Sequence, residues 1–210
     1  MSKDTRSKLL AGALTTLTEQ GIAHASARTI AAAAGVNQAL VFYHFGSVDE
    51  LLAAACRHGA EERIAVHRER LQQVRSLGEL LELARELHAT EREGGHVGVL
   101  GQLLAGAQTQ PRLAPATAAG LALWTDEIEQ VLGRVLAGTP LTEFVDVAGL
   151  AKAVSASFIG LELFEGVDPG GAEHALASLE QLVGLIGVLE DLGPVTQRAV
   201  RARLRRSTAR

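Results

Sequence analysis

One cysteine, one tryptophan, one tyrosine and five phenylalanines are all that 210 residues hold of those types, and each scarcity narrows the reading. A single thiol, Cys56, rules out an internal disulfide and fits a reducing compartment. On a helical stretch it reads as a small buried residue before it reads as a redox sensor. The histidines, His24, His44, His58, His67, His88, His96 and His174, never stand four apart, and no second cysteine joins them. HExxH, CxxC, P-loop and dinucleotide glycine patterns are missing, so no metal, no cofactor and no catalytic residue is expected, and the chain reads as a non-enzyme. Apolar runs are short: residues 182–189 form the cleanest, far below the roughly 20 residues of a membrane span. The first eight residues carry no apolar leader, which makes the cytoplasm the expected location and a membrane an unexpected partner.

Against these absences stands an apolar content of 47%, enough to bury a sizeable core in one large or two small domains. The net charge of −4 is unevenly spread. Lys3, Arg6, Lys8 and Arg28 against Asp4 and Glu19 leave residues 1–48 at +2, while residues 49–192 carry ten basic and twenty-two acidic groups, a net −12. Residues 193–210 add six arginines and no acid. A phosphate-binding surface therefore has few charges to work with, and base contacts and dimerisation must supply what the backbone does not.

Residues 26–52 organise the rest. Ser26 can cap a short helix over residues 28–34, Gly35 supplies the left-handed residue that ends it, and Asn37 caps a second helix two residues on. Ile30, Ala34, Val36, Val41 and Phe45 fit a small shared core, and the alanines at 31–34 permit a close helix approach. Gln38, Ala39, Leu40, Phe42, Tyr43 and His44 are then left largely outward. A nearly chargeless helix with glutamine, tyrosine and histidine on its outer face suits a DNA major groove better than water. Ser47 with Glu50 forms a capping box that starts a long helix reaching to about residue 73.

The run GVNQALVFYHF at 35–45, with Gly46-Ser47 and Asp49-Glu50-Leu51-Leu52 after it, resembles the N-terminal DNA-binding domain of the tetracycline-repressor (TetR) family over about residues 8–55. The resemblance implies an all-α chain of about nine helices. A helix-turn-helix domain over 1–47 would be followed by a helical ligand-binding and dimerisation domain over 48–192 and a basic tail over 193–210. It implies DNA contact by Arg28, Asn37, Gln38, Ala39, Leu40, Phe42, Tyr43 and His44. Gln38 is the best base reader, because its amide matches adenine N6 and N7. Ala39 and Leu40 can meet a thymine methyl, Tyr43 and His44 suit phosphates, Asn37 can cap, bind phosphate or both, and Phe42 can pack or touch DNA. Two positions depart from the pattern: Val48 stands where many members have a phosphate-binding lysine, and Phe42 where a tyrosine hydroxyl would sit. Lys3, Arg6 and Lys8 near the start of the first helix either reach phosphates or are solvated.

Beyond residue 52 the pattern is helix after helix, over 76–92, 96–109, 115–137, 142–165 and 171–191. The segment 96–109, with Gly98, Gly101 and Gly106, is either tightly packed or a mobile pocket wall. Residues 76–165 are rich in Leu, Ala and Gly, which suggests a cavity for a small, mostly apolar effector, with His88, His96, Gln102, Trp124, Ser155, Phe158 and Glu162 as candidate lining. Trp124 reads as core or lining, and Ser155, Phe158 and Glu162 as pocket or dimer seam. The last two helices carry more apolar surface than one monomer needs, which points to a homodimer seam through Val154, Leu161, Leu179, Val183 and Ile186. The function expected is a ligand-responsive DNA-binding regulator, a repressor on a near-palindromic operator. The alternative is an all-helical small-molecule binding protein or enzyme that keeps the helix-turn-helix as a relic.

Overall fold

The computed structural model of the protein describes residues 2–137, 139, 141–190 and 202, without the side chains of residues 2, 91–94, 96 and 188–190. The basic tail expected over 193–210 therefore lies outside the described residues, Ala202 apart. Those described form nine α-helices, two short 3-10 turns and no strand, as the all-α expectation had it. They divide into two compact units, residues 1–68 with 90–124, and residues 69–89 with 125–210.

The first unit opens with α1 (Ser2–Gln20) and a 3-10 turn (Ile22–His24), followed by α2 (Ala27–Ala33), α3 (Ala39–Phe45) and α4 (Val48–Gln73) as far as Arg68. Leu9, Leu10, Ala13 and Leu17 repeat at helical spacing and are buried, facing Ile30 and Ala31 of α2, Val41 of α3, and Leu51, Leu52 and Ala55 of α4. Small residues set the α1–α2 distance: a Cβ at Gly12 would lie 2.8 Å from the Cβ and N of Ala34 and 2.9 Å from the Ile30 carbonyl. Ala34, Val36 and Phe45 pack on the same core half-buried. The unit also takes in α6 (His96–Thr109), a 3-10 turn (Pro111–Leu113) and the start of α7 (Ala114–Leu136). Val99 and Leu103 of α6 and Leu113 of the turn belong to the core formed by α1 to α4, with Leu103 and Leu113 each 1% exposed. In this glycine-rich helix a Cβ on Gly106 would come within 3.1 Å of the Leu113 Cδ1, whereas one on Gly98 would meet nothing within 4 Å.

The second unit contains the end of α4, most of α5 (Leu77–Gly94), the rest of α7, α8 (Val147–Glu165) and α9 (Pro169–Glu190). Leu71, Val74, Leu83, Leu87, Val131 and Val135 form its core, with Leu77, Leu80 and Phe158 against it. The Arg134 guanidinium donates to the Leu71 carbonyl at 2.7 Å, tying α7 to the last turn of α4.

Three details differ from the sequence reading. Helix α8 begins at Val147 and not at 142, because the Thr142 hydroxyl donates to the carbonyls of Leu136 and Thr139 and turns residues 141–144 back toward the end of α7. Helix α9 begins at Pro169, which suits the first helical turn because it lacks an N–H that would be unpaired there anyway; Asp168 caps it by accepting the Gly171 N–H at 3.0 Å. Finally, α8 has the length and composition to cross a membrane, 19 residues with a mean hydropathy of 1.5. Counting unbroken runs missed it, since Lys152 and two serines interrupt the apolar sequence.

Candidate nucleic-acid interface and effector site

The α2–turn–α3 segment is held by local hydrogen bonds. The Ser26 hydroxyl accepts the Thr29 N–H at 3.2 Å while the Thr29 hydroxyl accepts the Ser26 N–H at 2.9 Å, a reciprocal box at the start of α2. Gly35, at φ 64°, ends the helix in the left-handed region, and the Val36 N–H reaches back to the Ala31 carbonyl at 3.0 Å. The Asn37 side chain accepts the Ala39 N–H at 2.8 Å, so its oxygen is used as the cap of α3. Ser47 caps α4 in the same way, accepting the Glu50 N–H at 3.1 Å.

With the helix fixed at both ends, its outer face is defined. Arg28, Gln38 and Ala39 are exposed, Phe42 is 50% exposed and Tyr43 79%. Leu40 and His44 are half-buried, Leu40 against the core. Three rings run edge to face along α3, Tyr43 to His44 with centroids 4.9 Å apart and His44 to Phe45 at 6.5 Å. Val48 is half-buried in the core, which accounts for a hydrophobic residue at that position.

The effector candidates separate. Gln102 and Trp124 belong to the first unit, where the Gln102 side-chain oxygen accepts the Ile22 N–H at 3.4 Å; Trp124 is half-buried. The His96 side chain lies outside the described residues. In the second unit His88, Phe158 and Glu162 come together, with Glu165, which the sequence reading did not include among the lining residues. His88 Nε2 is hydrogen-bonded to a Glu165 carboxylate oxygen at 2.6 Å, and Nδ1 stands 2.8 Å from one of Glu162 without the angles of a hydrogen bond. The Phe158 ring meets the imidazole edge-on at 6.1 Å. The Glu162 side chain is only 6% exposed. Ser155 is buried, donating to the Ala151 carbonyl at 2.9 Å and lying 3.3 Å from the Thr125 hydroxyl. Ser155, Phe158 and Glu162 thus face the interior of their unit. A spacing of three from Glu162 was the available signal for Glu165.

Each unit has an open cleft. That of the second, about 320 Å³, is lined by His88, Leu161, Glu165, Ala172, Glu173 and Leu176. That of the first, about 240 Å³, lies among Ser26, Asp49, Leu52, Gln110, Arg112 and Leu113, with the Arg112 guanidinium 3.9 Å from the Asp49 carboxylate. Of the seam candidates, Leu179 is 42% exposed, and Val154, Leu161, Val183 and Ile186 are half-buried. Nearby, Leu163, Phe164, Val167, Leu182 and Leu185 are between 47% and 87% exposed.

Comparison with known proteins agrees with this geometry. Residues 9–55 match the family model described as bacterial regulatory proteins, tetR family. No curated protein matches the chain. Among solved structures, a TetR-family transcriptional regulator from Rhodococcus sp. superposes with a TM-score of 0.69 at 23% identity, over 90% of this chain and all of that one. The multidrug binding protein EbrR, solved complexed with proflavin, superposes with a TM-score of 0.58 at 27% identity, over 85% of this chain and 99% of that one. EbrR has also been solved complexed with imidazole, where the alignment gives 26% identity over 83% of this chain and 93% of that one, with the same TM-score. Residues 9–55 thus match the helix-turn-helix model of the tetR family of bacterial regulatory proteins, and the chain shares the all-helical fold of these solved structures over most of its length.

Proposed function

We propose that the protein is a cytoplasmic, homodimeric, ligand-responsive repressor that binds a near-palindromic operator and releases it when a small effector enters its body. The observation that carries the reading is the outer face of α3: Gln38, Ala39, Phe42 and Tyr43 stay exposed on a helix whose caps and core are otherwise satisfied. A half-exposed Phe42 and a 79% exposed Tyr43 on one helix carry a solvation cost that an occupied DNA groove relieves. Arg28 and Asn37 flank that face, and two copies of it would read successive major grooves about 34–36 Å apart. For the dimer, the exposed apolar residues of α8 and α9 support a four-helix seam through Val154, Leu161, Leu179, Val183 and Ile186.

The effector is assigned to the second unit, beside His88, Phe158, Glu162 and Glu165. The carboxylates of Glu162, Glu165 and Glu173 gather acidic groups here, and Ala172 and Leu176 supply apolar wall. A mostly apolar molecule bearing one basic nitrogen fits that lining. EbrR's complexes with proflavin and imidazole support a nitrogen heterocycle as the first class to try. A coupling of about 1–3 kcal/mol would shift operator affinity roughly 5- to 150-fold.

Selection from random duplexes with the full chain tests the reading. Enrichment of an inverted repeat is expected, and its loss on Gln38→Ala with Tyr43→Ala, folding intact, supports base reading by α3. A selection that recovers no repeat while the protein is dimeric sinks it, and unchanged cellular function of the double variant favours the binding-protein or enzyme alternative.

A further inference from the structure

The line of rings on α3 does not end at Phe45. The Arg6 guanidinium of α1 lies over the Phe45 ring, 5.0 Å from its centroid, so Tyr43, His44, Phe45 and Arg6 form one continuous strip. Two turns of α1 offer cations here, and they are not equivalent. The Lys8 ammonium is held by the Asp4 carboxylate at 2.8 Å. Arg6 is exposed, and among the described residues its N–H groups have no hydrogen-bond or ion-pair partner. A cation over a ring face is held through its charge, so the five N–H donors of the guanidinium stay available to a planar, two-pronged acceptor. The contact also removes much of the rotamer freedom that an arginine otherwise loses when it binds.

We infer that Arg6, held by Phe45, is a phosphate clamp of the DNA-reading surface, taking two oxygens of one backbone phosphate at the edge of each half-site. The inference rests on the reading that α3 meets DNA. It answers a deficit visible in the chain: Val48 is taken up by the core, Phe42 has no hydroxyl, and residues 1–48 carry a net charge of only +2. With so few cations, one that is preorganised and unpaired counts for more than its share of the charge.

The test uses the full chain and the duplex recovered by selection, with operator affinity measured from low to moderate salt for wild type, Arg6→Ala, Arg6→Lys, Lys8→Ala and Gln38→Ala. One phosphate lost per half-site makes the slope of log affinity against log salt shallower by about 1.8 for the dimer. Arg6→Ala is expected to show that change with base preference intact, Lys8→Ala to leave the slope where it was, and Arg6→Lys to keep the slope while losing affinity, because lysine neutralises the phosphate without the two-pronged contact. An unchanged slope in Arg6→Ala, an equal change in Lys8→Ala, or wild-type affinity in Arg6→Lys would each overturn the clamp. Failure of the underlying reading shows up elsewhere, as a wild type without operator affinity or a Gln38→Ala variant whose base preference does not move.

Discussion

Replacing Gly12 by alanine places a methyl group where α1 and α2 already touch. The new Cβ would stand 2.8 Å from both the Cβ and the backbone N of Ala34, and 2.9 Å from the Ile30 carbonyl oxygen. Two of those three atoms are backbone, so no side-chain rotation relieves the contact, and the helices must separate by about 0.6 Å to reach ordinary van der Waals distance near 3.4 Å. That separation loosens Leu9, Ala13, Ile30 and Ala31, all within 2% of complete burial. Overpacking costs about 1–3 kcal/mol, and the better helix propensity of alanine returns up to about 1 kcal/mol. A net loss of roughly 1–2 kcal/mol follows, a fall in Tm of about 2–8 °C at about 2–4 °C per kcal/mol for a chain of this size. Gly133→Ala is the matched control: that glycine is also inside a helix, but its new Cβ would meet nothing within 4 Å, so the same substitution is expected to stabilise by about 0.5–1 kcal/mol. Scanning calorimetry of the two variants decides the matter. A Gly12→Ala protein as stable as wild type, or two shifts of the same sign, would refute the argument that the α1–α2 distance is set by the missing side chain.

Leu103→Ala is expected to cost about 2–5 kcal/mol and to lower operator affinity, because Leu103 of α6 is buried in the core beneath the reading helix; denaturant melts and a binding isotherm read both. His88→Ala removes the hydrogen bond to Glu165 and the ring packed edge-on against Phe158, and a loss of about 1–3 kcal/mol is expected, measurable as a lower urea midpoint. Burial pushes the Cys56 thiol up to about 11 from 9.0. Between those values the unfolded chain gives up its proton while the folded one keeps it, so stability should fall as pH rises from about 9 to 11, by up to about 1.4 kcal/mol per pH unit. Cys56→Ser should flatten that window, and the wild-type thiol should resist alkylation at pH 8 while folded.

The parts of the fold that announce themselves in the sequence are those set by neighbours along the chain. Ser26, Gly35, Asn37 and Ser47 punctuate the helix-turn-helix through bonds spanning a few residues, and each does what its type suggests. Position 142 misled because a threonine hydroxyl can satisfy carbonyls across a turn as readily as the backbone can satisfy them in a helix. The candidate site was legible in its ingredients and not in its grouping. His88, Phe158 and Glu162 stand up to 74 positions apart in the chain and meet through packing between α5 and α8, whereas Gln102 and Trp124, equally suitable by type, fall in the other unit. Arg6 could be picked out as a cation but not as a stacked one, since its ring partner lies 39 positions away.

The unit that contains the reading helix is discontinuous in the chain, residues 1–68 being completed by residues 90–124. Cutting after the long helix would therefore strip Val99, Leu103 and Leu113 from beside Leu10 and Leu52 and leave an oily wound on the fragment. Anyone wishing to transplant this reader onto a foreign sensor must carry the second segment along with the first, joined by a short artificial bridge in place of residues 69–89.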